Sequence, residues 1–395
     1  MAKPKLGLIP AAQGTKFYSV LPSDGTGDFD FTRGSVATRI NAQGLIENVA
    51  SGQSRLDYPM IDGVQKGCPH HILEPASTNL INYSQAISNT LVKNGTFVDN
   101  AAISPDGTLN ATKLTATTTD PFFYQSITFA AATYTSSIYV KGIGDSIGKE
   151  FRIAISSSTT APKLIVPSEW TRFEFTATVG AGTGSTGIEI TDPAIVGDEV
   201  LVWGWQVEEQ SYATSYIPTT STAVTRSAET ASGAGNSTTF NSEEGVLMAE
   251  ISALADDLTF RTILLSDGTN SNRIGMFYRT QSNVVELFYY NSTLTYFHRT
   301  TLNDIKTSNK IALIYKNQDF KVFVNGIKQD EQLSGSTSLF TLNDLSFSGI
   351  GSEPFYGNVK QLQYFNSALD SQQLEQLTSW QSFRDMANGQ LYTIE

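Results

Sequence analysis

Alternating apolar and polar residues recur along most of this chain in short runs, separated by turns of glycine, asparagine and aspartate. A period of two is typical of strands with one buried face. In the run 170–179, for example, Phe173 and Phe175 are predicted to face one side and Glu174 the other. No long helical period interrupts these runs. The chain is therefore predicted to be all-β, with two antiparallel β-sandwiches.

The segment 198–226 separates the predicted strands into two groups. It begins as a strand, and one face of that strand is predicted to carry Leu201, Trp203, Trp205 and Val207. Two tryptophans on one face are typical of a strand in a hydrophobic core. After Glu209 the residues become small and hydroxylated and include a proline, which indicates an extended segment that leaves one domain and enters the next.

Composition and turn signals divide the chain into four regions: 1–73, 74–230, 238–369 and 370–395. In the first region apolar residues come in ones and twos, too sparsely for an independent core, so we predict an extended arm that becomes ordered against another surface. The second region carries seven candidate strands at the spacing of a jelly roll. The third repeats this pattern as a second sandwich, and the fourth is predicted to be a short helix with a tail.

Two local signals mark the C-terminal part of the chain. Asn325 and Gly326 lie between two strand-like runs, and this pair accepts the positive φ angles of a tight hairpin turn. Asp370 is predicted to cap a helix, with Gln373 completing a capping box. The apolar side of that helix is predicted to carry Leu374, Leu377 and Trp380.

Composition limits the classes of function. The chain of 395 residues has 38 acidic and 26 basic residues, a net charge of −12, which argues against nucleic acid as the main partner because such a partner requires a basic face. Cys68 is the single cysteine, so an intrachain disulfide and a cysteine zinc site are excluded. The first residues lack the apolar core of a signal peptide, and no stretch approaches the ~18 apolar residues of a membrane helix. We therefore expect synthesis in a cytoplasm without membrane insertion.

The final third of the chain contains FKVFVNGIKQ at 320–329, SGIGS at 348–352 and FYGNVKQLQYFNSALD at 355–370. A strand into V-N-G, an I-G-S strand end and a G-N-V strand leading to a capped helix, in this order, resemble the laminin-G or concanavalin-A-like lectin family. The resemblance implies a laminin-G/concanavalin-A-like sandwich over 238–369. Because this sandwich serves many unrelated roles, the resemblance implies no single activity.

A second resemblance covers nearly all of residues 29–230. It is carried by FTRGSVATRINAQGLIE at 31–47, LEPASTNLINYS at 73–84, SSIYVKG at 136–142, EWTRFEF at 169–175 and WGWQVEEQSYATSYIPTTSTAVTRSAE at 203–229. These segments, in this order, resemble structural proteins of tailed bacteriophages. The resemblance implies a tail fibre, head fibre or capsid decoration protein whose jelly roll is similar to carbohydrate-binding modules. Members of this group often have alanine where this chain has Trp205.

Sequence patterns of catalysis are missing. Glucanases with a concanavalin-A-like sandwich place acidic residues at alternating positions of one strand. The acidic pairs here are adjacent and would splay to opposite faces of a strand: Glu208-Glu209, Glu243-Glu244 and Asp256-Asp257. The three histidines, His70, His71 and His298, show no spacing typical of metal ligands, and the GxSxG motif is absent from the sequence. We therefore predict no catalytic residue and no enzyme activity.

Sugar recognition commonly uses exposed aromatic rings with polar groups nearby. The aromatic residues that qualify by position are Tyr278, Tyr289, Tyr290, Tyr296 and Phe297. The glycan-binding residues are predicted to be Tyr289, Tyr290 and Tyr296. Core packing is the alternative for each of them, because aromatic side chains more often fill the interior.

The loop 266–273 is a candidate calcium site, with ligands predicted from Asp267, Asn270 and Asn272. Calcium prefers oxygen ligands of this kind. A turn that needs no metal explains the same residues equally well. No cofactor is required by the rest of the sequence.

These observations predict a non-catalytic bacteriophage virion protein, a fibre or decoration protein on the exterior of the particle, made in the host cytoplasm. It is expected to adhere to host-surface or environmental glycans. Its arm is expected to bind other virion proteins, and the chain is expected to form a homo-oligomer, with a trimer as the first choice. The alternative is a purely structural virion protein whose sandwiches pack against protein neighbours.

Overall fold

The structure is a computed structural model that describes residues 3–61, 64–93, 95–118, 122–156, 162–192, 196–351, 353–382 and 384–386. Antiparallel strands dominate it, so the all-β prediction is confirmed. The strands, β1 to β32 in chain order, are Leu6–Gln13, Lys16–Leu21, Phe29–Thr32, Ala37–Ile40, Ile46–Val49, Leu56–Asp57, Met60–Ile61, Val64–Gln65, His70–Leu73, Ser77–Asn79, Leu91–Lys93, Gly95–Ile103, Leu109–Ala116, Phe122–Phe129, Ala132–Ile143, Glu150–Ala154, Leu164–Ile165, Thr171–Val179, Gly182–Asp192, Glu199–Glu208, Val224–Arg226, Thr230–Ser232, Glu244–Ala253, Arg261–Ser266, Asn272–Tyr278, Val284–Asn291, Thr293–Thr301, Asn309–Lys316, Phe320–Val324, Ile327–Gln332, Asp344–Ser346 and Gly357–Phe365.

The α-helix α1 spans Ser371–Thr378, and 3-10 turns lie at Ile87–Asn89 and Gly144–Ser146. The Asp370 carboxylate accepts a hydrogen bond from the Gln373 backbone N–H at 2.8 Å, and the Gln373 side chain accepts one from the Asp370 N–H at 3.1 Å. The predicted capping box is therefore confirmed. Of the predicted tail, residues 387–395 lie outside the described residues.

The predicted Asn-Gly hairpin is also confirmed. Asn325 has a φ of 49° and Gly326 a φ of 83°, which are the positive values that this type of two-residue turn requires. Val324 at the end of β29 pairs with Ile327 at the start of β30.

The chain forms two compact units, and both are discontinuous in sequence. Unit 1 comprises Met1–Gly34, Val49–Pro75 and Ala228–Glu395. Unit 2 comprises Ser35–Asn48 and Ala76–Ser227. The chain therefore passes between the two units four times.

The N-terminal region is not the extended arm expected over 1–73. β1 pairs antiparallel with β32 inside unit 1, with Leu6 opposite Tyr364 and Leu8 opposite Leu362. Both leucines are fully buried in the core of that unit. Apolar residues are sparse here because each strand adds only a few side chains to a core that distant strands complete. Binding of this region to other virion proteins stays a prediction.

Unit 1 is a sandwich of two sheets. The larger sheet has the strand order β22-β3-β2-β1-β32-β23-β28-β29-β30, with β9 against β32 and β6 against β9, and the smaller sheet has the order β27-β26-β25-β24-β31. Leu247 and Leu313 of the larger sheet share one core with Ile274 and Leu287 of the smaller sheet. On its other face the larger sheet packs against α1, which buries Leu374 there.

Unit 2 is a second antiparallel sandwich, of two five-stranded sheets in the orders β11-β14-β19-β16-β17 and β12-β13-β20-β15-β18. Its core contains Ile153 from the first sheet and Ile138 from the second. As predicted, Phe173 and Phe175 of β18 point together toward this core.

The prediction that Trp203 and Trp205 share one face of β20 is wrong. Gly204 between them has a φ of 67°, and β20 carries an extra residue against β15 at this point. Such a bulge reverses the faces of the residues that follow it. Trp205 therefore lies in the sandwich core, with its ring 5.2 Å from that of Phe123, whereas Trp203 belongs to a separate cluster, 4.6 Å from the ring of Tyr216.

A buried ion cluster of two arginines and two glutamates lies inside unit 1. The Glu229 carboxylate accepts hydrogen bonds from Arg33 Nη1 at 2.7 Å and from Arg55 Nε at 2.8 Å. Arg55 Nη2 also donates to Glu74 at 2.8 Å. Burial alone would lower the pKa of Arg55, but the charges of Glu229 and Glu74 outweigh that effect and raise it. Arg55 therefore remains charged, and the cluster links all three sequence segments of the unit.

Candidate functional site

A groove lies on the face of the smaller sheet of unit 1 that points away from the sandwich core. Side chains alternate along β25 in this sheet. Ile274 and Met276 are buried in the core, whereas the groove is lined by Arg273, Phe277 and Arg279. The side chains of the neighbouring strands β24 and β26 alternate in the same way, so the outward-facing residues of all three strands lie side by side in the groove.

The groove has a volume of about 350 Å³ and is rich in aromatic rings and guanidinium groups. Its aromatic residues are Phe260, Phe277, Phe288, Tyr290 and Phe297. Of these, Phe297 is 49% exposed, and Tyr290 is partly exposed. Its arginines are Arg273, Arg279 and Arg299. A ligand in this groove would meet flat apolar surfaces and hydrogen-bond donors together.

One carboxylate in the groove binds two of these arginines. Glu286 is largely buried and accepts hydrogen bonds from Arg279 Nη1 at 2.5 Å and from Arg299 Nε. The guanidinium carbon of Arg279 also lies 5.5 Å from the ring centroid of Phe277. Salt bridges and cation–π contacts of this kind hold long side chains in fixed positions.

Two of the three predicted glycan-binding tyrosines are core residues. Tyr289 is 0% exposed and donates a hydrogen bond to the Ser242 carbonyl at 2.7 Å. Tyr296 is 1% exposed, stacks on Phe320 at 5.0 Å, and donates to Asp330 at 2.8 Å. Burial raises the pKa of Tyr289 to about 12 and raises that of Tyr296 as well. Neither ring can stack on a sugar, so the prediction is wrong for both, and the alternative of core packing holds.

Tyr290 is the one predicted tyrosine that lies in the groove. It is adjacent to Tyr289 in a strand, and neighbouring strand residues face opposite sides, so the two could not both belong to one surface site. Arg273 and Arg279 were not among the site residues predicted from the sequence, and Phe297 was a candidate there but not one of the three predicted residues. Arg273 in β25, Arg279 directly after it and Phe297 in β27 lie at odd-numbered positions, whereas the core residues of these two strands lie at even-numbered positions. This alternation is the signal that could have found them.

The predicted calcium residues are bonded to one another and to nearby donors. Asp267 accepts hydrogen bonds from the Thr269 N–H at 2.8 Å and from the Asn272 side-chain amide at 2.7 Å. The Asn270 side-chain oxygen accepts from Arg273 Nη1 at 3.0 Å. The side-chain oxygens of Asp267 and Asn270, which a cation would need as ligands, are thus already bonded to an amide group and a guanidinium group. This supports the alternative of a turn that needs no metal. Among the described residues no group of three His, Cys, Asp or Glu side chains could hold a metal ion.

The histidine pair His70 and His71 lies in strand β9. His71 Nε2 lies 2.9 Å from the Ile9 carbonyl oxygen, and its ring stacks on Phe17 at 4.0 Å. Burial lowers the pKa of His71 to about 4, although the contact with Ile9 opposes this shift. Burial likewise lowers the pKa of His70, to about 3. Both rings are therefore neutral parts of the core at physiological pH.

Comparisons with known proteins give structural neighbours but no family. No family model matches the chain, and no curated protein matches it. The chain is similar to CBM40 of the Ruminococcus gnavus IT-sialidase bound to alpha2,3 sialyllactose, with 17% identity and a TM-score of 0.32 over 37% of this chain and 88% of that one. It is also similar to mouse laminin alpha1 domains LG4-5, with 10% identity and a TM-score of 0.25 over 64% of this chain and 89% of that one.

A third neighbour is the CBM22-1-CBM22-2 tandem domain of Paenibacillus barcinonensis Xyn10C, with 10% identity and a TM-score of 0.25 over 75% of this chain and 100% of that one. All three TM-scores lie below 0.5, so none of these likenesses carries an argument about function.

No helix among the described residues is both long enough and apolar enough to span a membrane.

Proposed function

We propose that this chain is a non-catalytic glycan-binding protein and that the groove on the smaller sheet of unit 1 is its binding site. The observation that carries the proposal is the combination of exposed aromatic rings with fixed guanidinium donors in one open groove. Phe297 and Tyr290 offer flat apolar faces to the C–H face of a sugar ring. The arginines offer several N–H donors to sugar oxygens.

The contacts of Glu286 support a binding role over a catalytic one. Glycoside hydrolysis by two carboxyl groups requires one that donates a proton and one that acts as a base or nucleophile. In the groove, Glu286 is engaged by Arg279 and Arg299. These two salt bridges hold the carboxylate against side chains of the groove itself. The second acidic residue, Glu353, accepts a hydrogen bond from Thr262.

The proposal includes a place on the exterior of a bacteriophage particle, as a fibre or decoration protein. Its support is the ordered set of sequence segments over 29–230 that resemble phage structural proteins. A homo-oligomer, with a trimer as the first choice, and contacts with other virion proteins belong to the same proposal. Binding is proposed to need no cofactor, and calcium at Asp267 is not part of it.

A purely structural role is the second candidate, and one feature of unit 1 favours it. The edge strand β30 begins with Ile327, which is 64% exposed, and it is followed by Leu333 and Leu339, which are also exposed. An exposed edge strand with apolar neighbours is a common place for protein–protein contact.

Binding of the full chain to an array of bacterial surface glycans tests the proposal. We expect saturable binding that Phe297→Ala and Tyr290→Ala weaken, because each removes a ring from the groove. Tyr18→Ala is the matched control, since Tyr18 is a partly exposed tyrosine on β2, in the other sheet of unit 1. No binding to any glycan, or equal loss with the control, would reject the groove and favour the structural role.

A further inference from the structure

Charge in the groove is locally positive although the chain is strongly acidic. The groove contains three arginines and two glutamates, Glu286 and Glu353, so its formal net charge is about +1, against −12 for the whole chain. At physiological salt, exposed charges farther than roughly 8 Å away are largely screened. A ligand in contact with the groove therefore responds mainly to these five side chains.

Arg273 differs from the other two arginines because no ion pair among the described residues includes it. Arg279 and Arg299 share the Glu286 carboxylate. Arg273 instead donates one hydrogen bond, from Nη1 to the neutral Asn270 side chain at 3.0 Å. Its positive charge is therefore not balanced by a carboxylate in this part of the structure.

Aromatic contacts hold the Arg273 guanidinium in place. Its central carbon lies 4.5 Å from the ring centroid of Tyr290 and 5.4 Å from that of Phe288. Stacking of this kind orients the planar group and limits its motion, while its remaining N–H groups stay able to donate. An oriented guanidinium matches the paired oxygens of a carboxylate or a sulfate.

We infer that the groove prefers acidic sugars and that Arg273 binds their anionic group, a carboxylate or a sulfate ester, while Phe297 and Tyr290 contact the sugar ring. This inference rests on the proposed glycan-binding function and adds the class of glycan. Arg279 and Arg299 both bind the single Glu286 carboxylate, which balances one of their two positive charges and engages part of their N–H donors, so we assign the anion site to Arg273.

The test measures binding of the full chain to three sets of oligosaccharides: uronic-acid oligosaccharides, the same compounds after reduction of the carboxyl groups to alcohols, and sulfated oligosaccharides. We expect acidic compounds to bind at least about tenfold more tightly than the reduced ones, in line with one charge-assisted hydrogen-bond pair. Arg273→Gln should remove this preference, because it should weaken binding of the acidic compounds about tenfold more than binding of the reduced ones. Arg273→Lys should retain part of the preference, and Arg384→Gln, at an exposed arginine outside the groove, should retain all of it.

The outcomes separate this inference from the function on which it rests. Equal binding of acidic and reduced compounds, weakened by Phe297→Ala, would overturn the inference and keep the glycan-binding groove. If Arg273→Gln weakened binding of the acidic and the reduced compounds equally, the inference would also be overturned, because Arg273 would then only shape the groove. No binding in any set would reject both. A preference restricted to the uronic acids or to the sulfated compounds would support the inference and identify the anion.

Discussion

Replacement of Glu229 by glutamine should destabilise unit 1 severely. The buried ion cluster is balanced, with two arginines and two glutamates, and Glu229 accepts hydrogen bonds from Arg33, Arg55 and the Glu74 backbone N–H. Glu229→Gln leaves one positive charge without compensation, in side chains that are 0% exposed. Removal of one partner of a buried ion pair typically costs about 3–5 kcal/mol. That is a large part of the roughly 5–15 kcal/mol by which a domain is stable.

The measurement is native-state hydrogen exchange read by mass spectrometry, since peptides report unit 1 and unit 2 separately. Exchange in β23 and β28 of unit 1 should accelerate strongly, while peptides of unit 2 should change little. Asp30→Asn is the control, because it breaks the exposed Lys16–Asp30 pair of the same unit, which is worth under about 1 kcal/mol.

A double variant distinguishes charge imbalance from loss of hydrogen bonds. Arg33→Met combined with Glu229→Gln restores a neutral cluster of Arg55 and Glu74, so it should recover part of the stability that Glu229→Gln alone loses. Two results would refute this account of the cluster: a cost of Glu229→Gln as small as that of the control, or a double variant no more stable than Glu229→Gln alone.

The remaining predictions concern single features. The pKa of His71 is about 4 in the folded chain and 6.5 ordinarily, so the unfolded chain binds the proton first as the pH falls, and stability should decrease between pH 6.5 and pH 4. His71→Phe should make this decrease smaller, as measured by the midpoints of urea unfolding followed by circular dichroism. Gly204→Ala should cost unit 2 about 1–2 kcal/mol, since φ is 67° and the new Cβ would stand 3.3 Å from Tyr139; unchanged urea unfolding, read by tryptophan fluorescence, would contradict this. Deletion of residues 1–73 should leave unit 1 unprotected in hydrogen exchange, because strands of its core are lost; full protection would show that they are dispensable.

Sequence periodicity was enough for the fold class because local alternation decides which residues form strands. The hairpin at Asn325 and the helix cap at Asp370 were equally local and were predicted correctly. The pairing of β1 with β32 could not be found in this way, since nothing near Leu6 indicates a partner some 358 positions later. A run of strand-like residues does not reveal which strand completes its sheet.

The candidate site was only partly predictable for a related reason. In β26 both faces carry aromatic residues, so alternation cannot tell which face is the core, and Tyr289 and Tyr290 look equivalent in the sequence. Burial separates them only after the second sheet is in place. The bulge at Gly204 could not be predicted from the sequence either, because a glycine in a strand is compatible with a regular or a bulged backbone.

The pairing of β1 with β32 has a consequence for synthesis of the chain. Leu6 must wait for Tyr364, its partner in the sheet, and the two are 364 − 6 = 358 residues apart. At roughly 5–20 residues per second, this interval lasts on the order of 20–70 s. During that time the N-terminal strands leave the ribosome with apolar side chains and unpaired backbone groups.

Unit 2 can close much sooner, because its last segment ends at Ser227. The sandwich of unit 2 is therefore complete at a time when the C-terminal segment of unit 1, with which the first 34 residues pair, has not yet been synthesised. Unpaired strand edges in this interval can pair with those of another nascent chain. Neighbouring copies on one messenger RNA are the nearest source of such edges, so slow elongation or crowded ribosomes should favour chains that exchange their N-terminal strands.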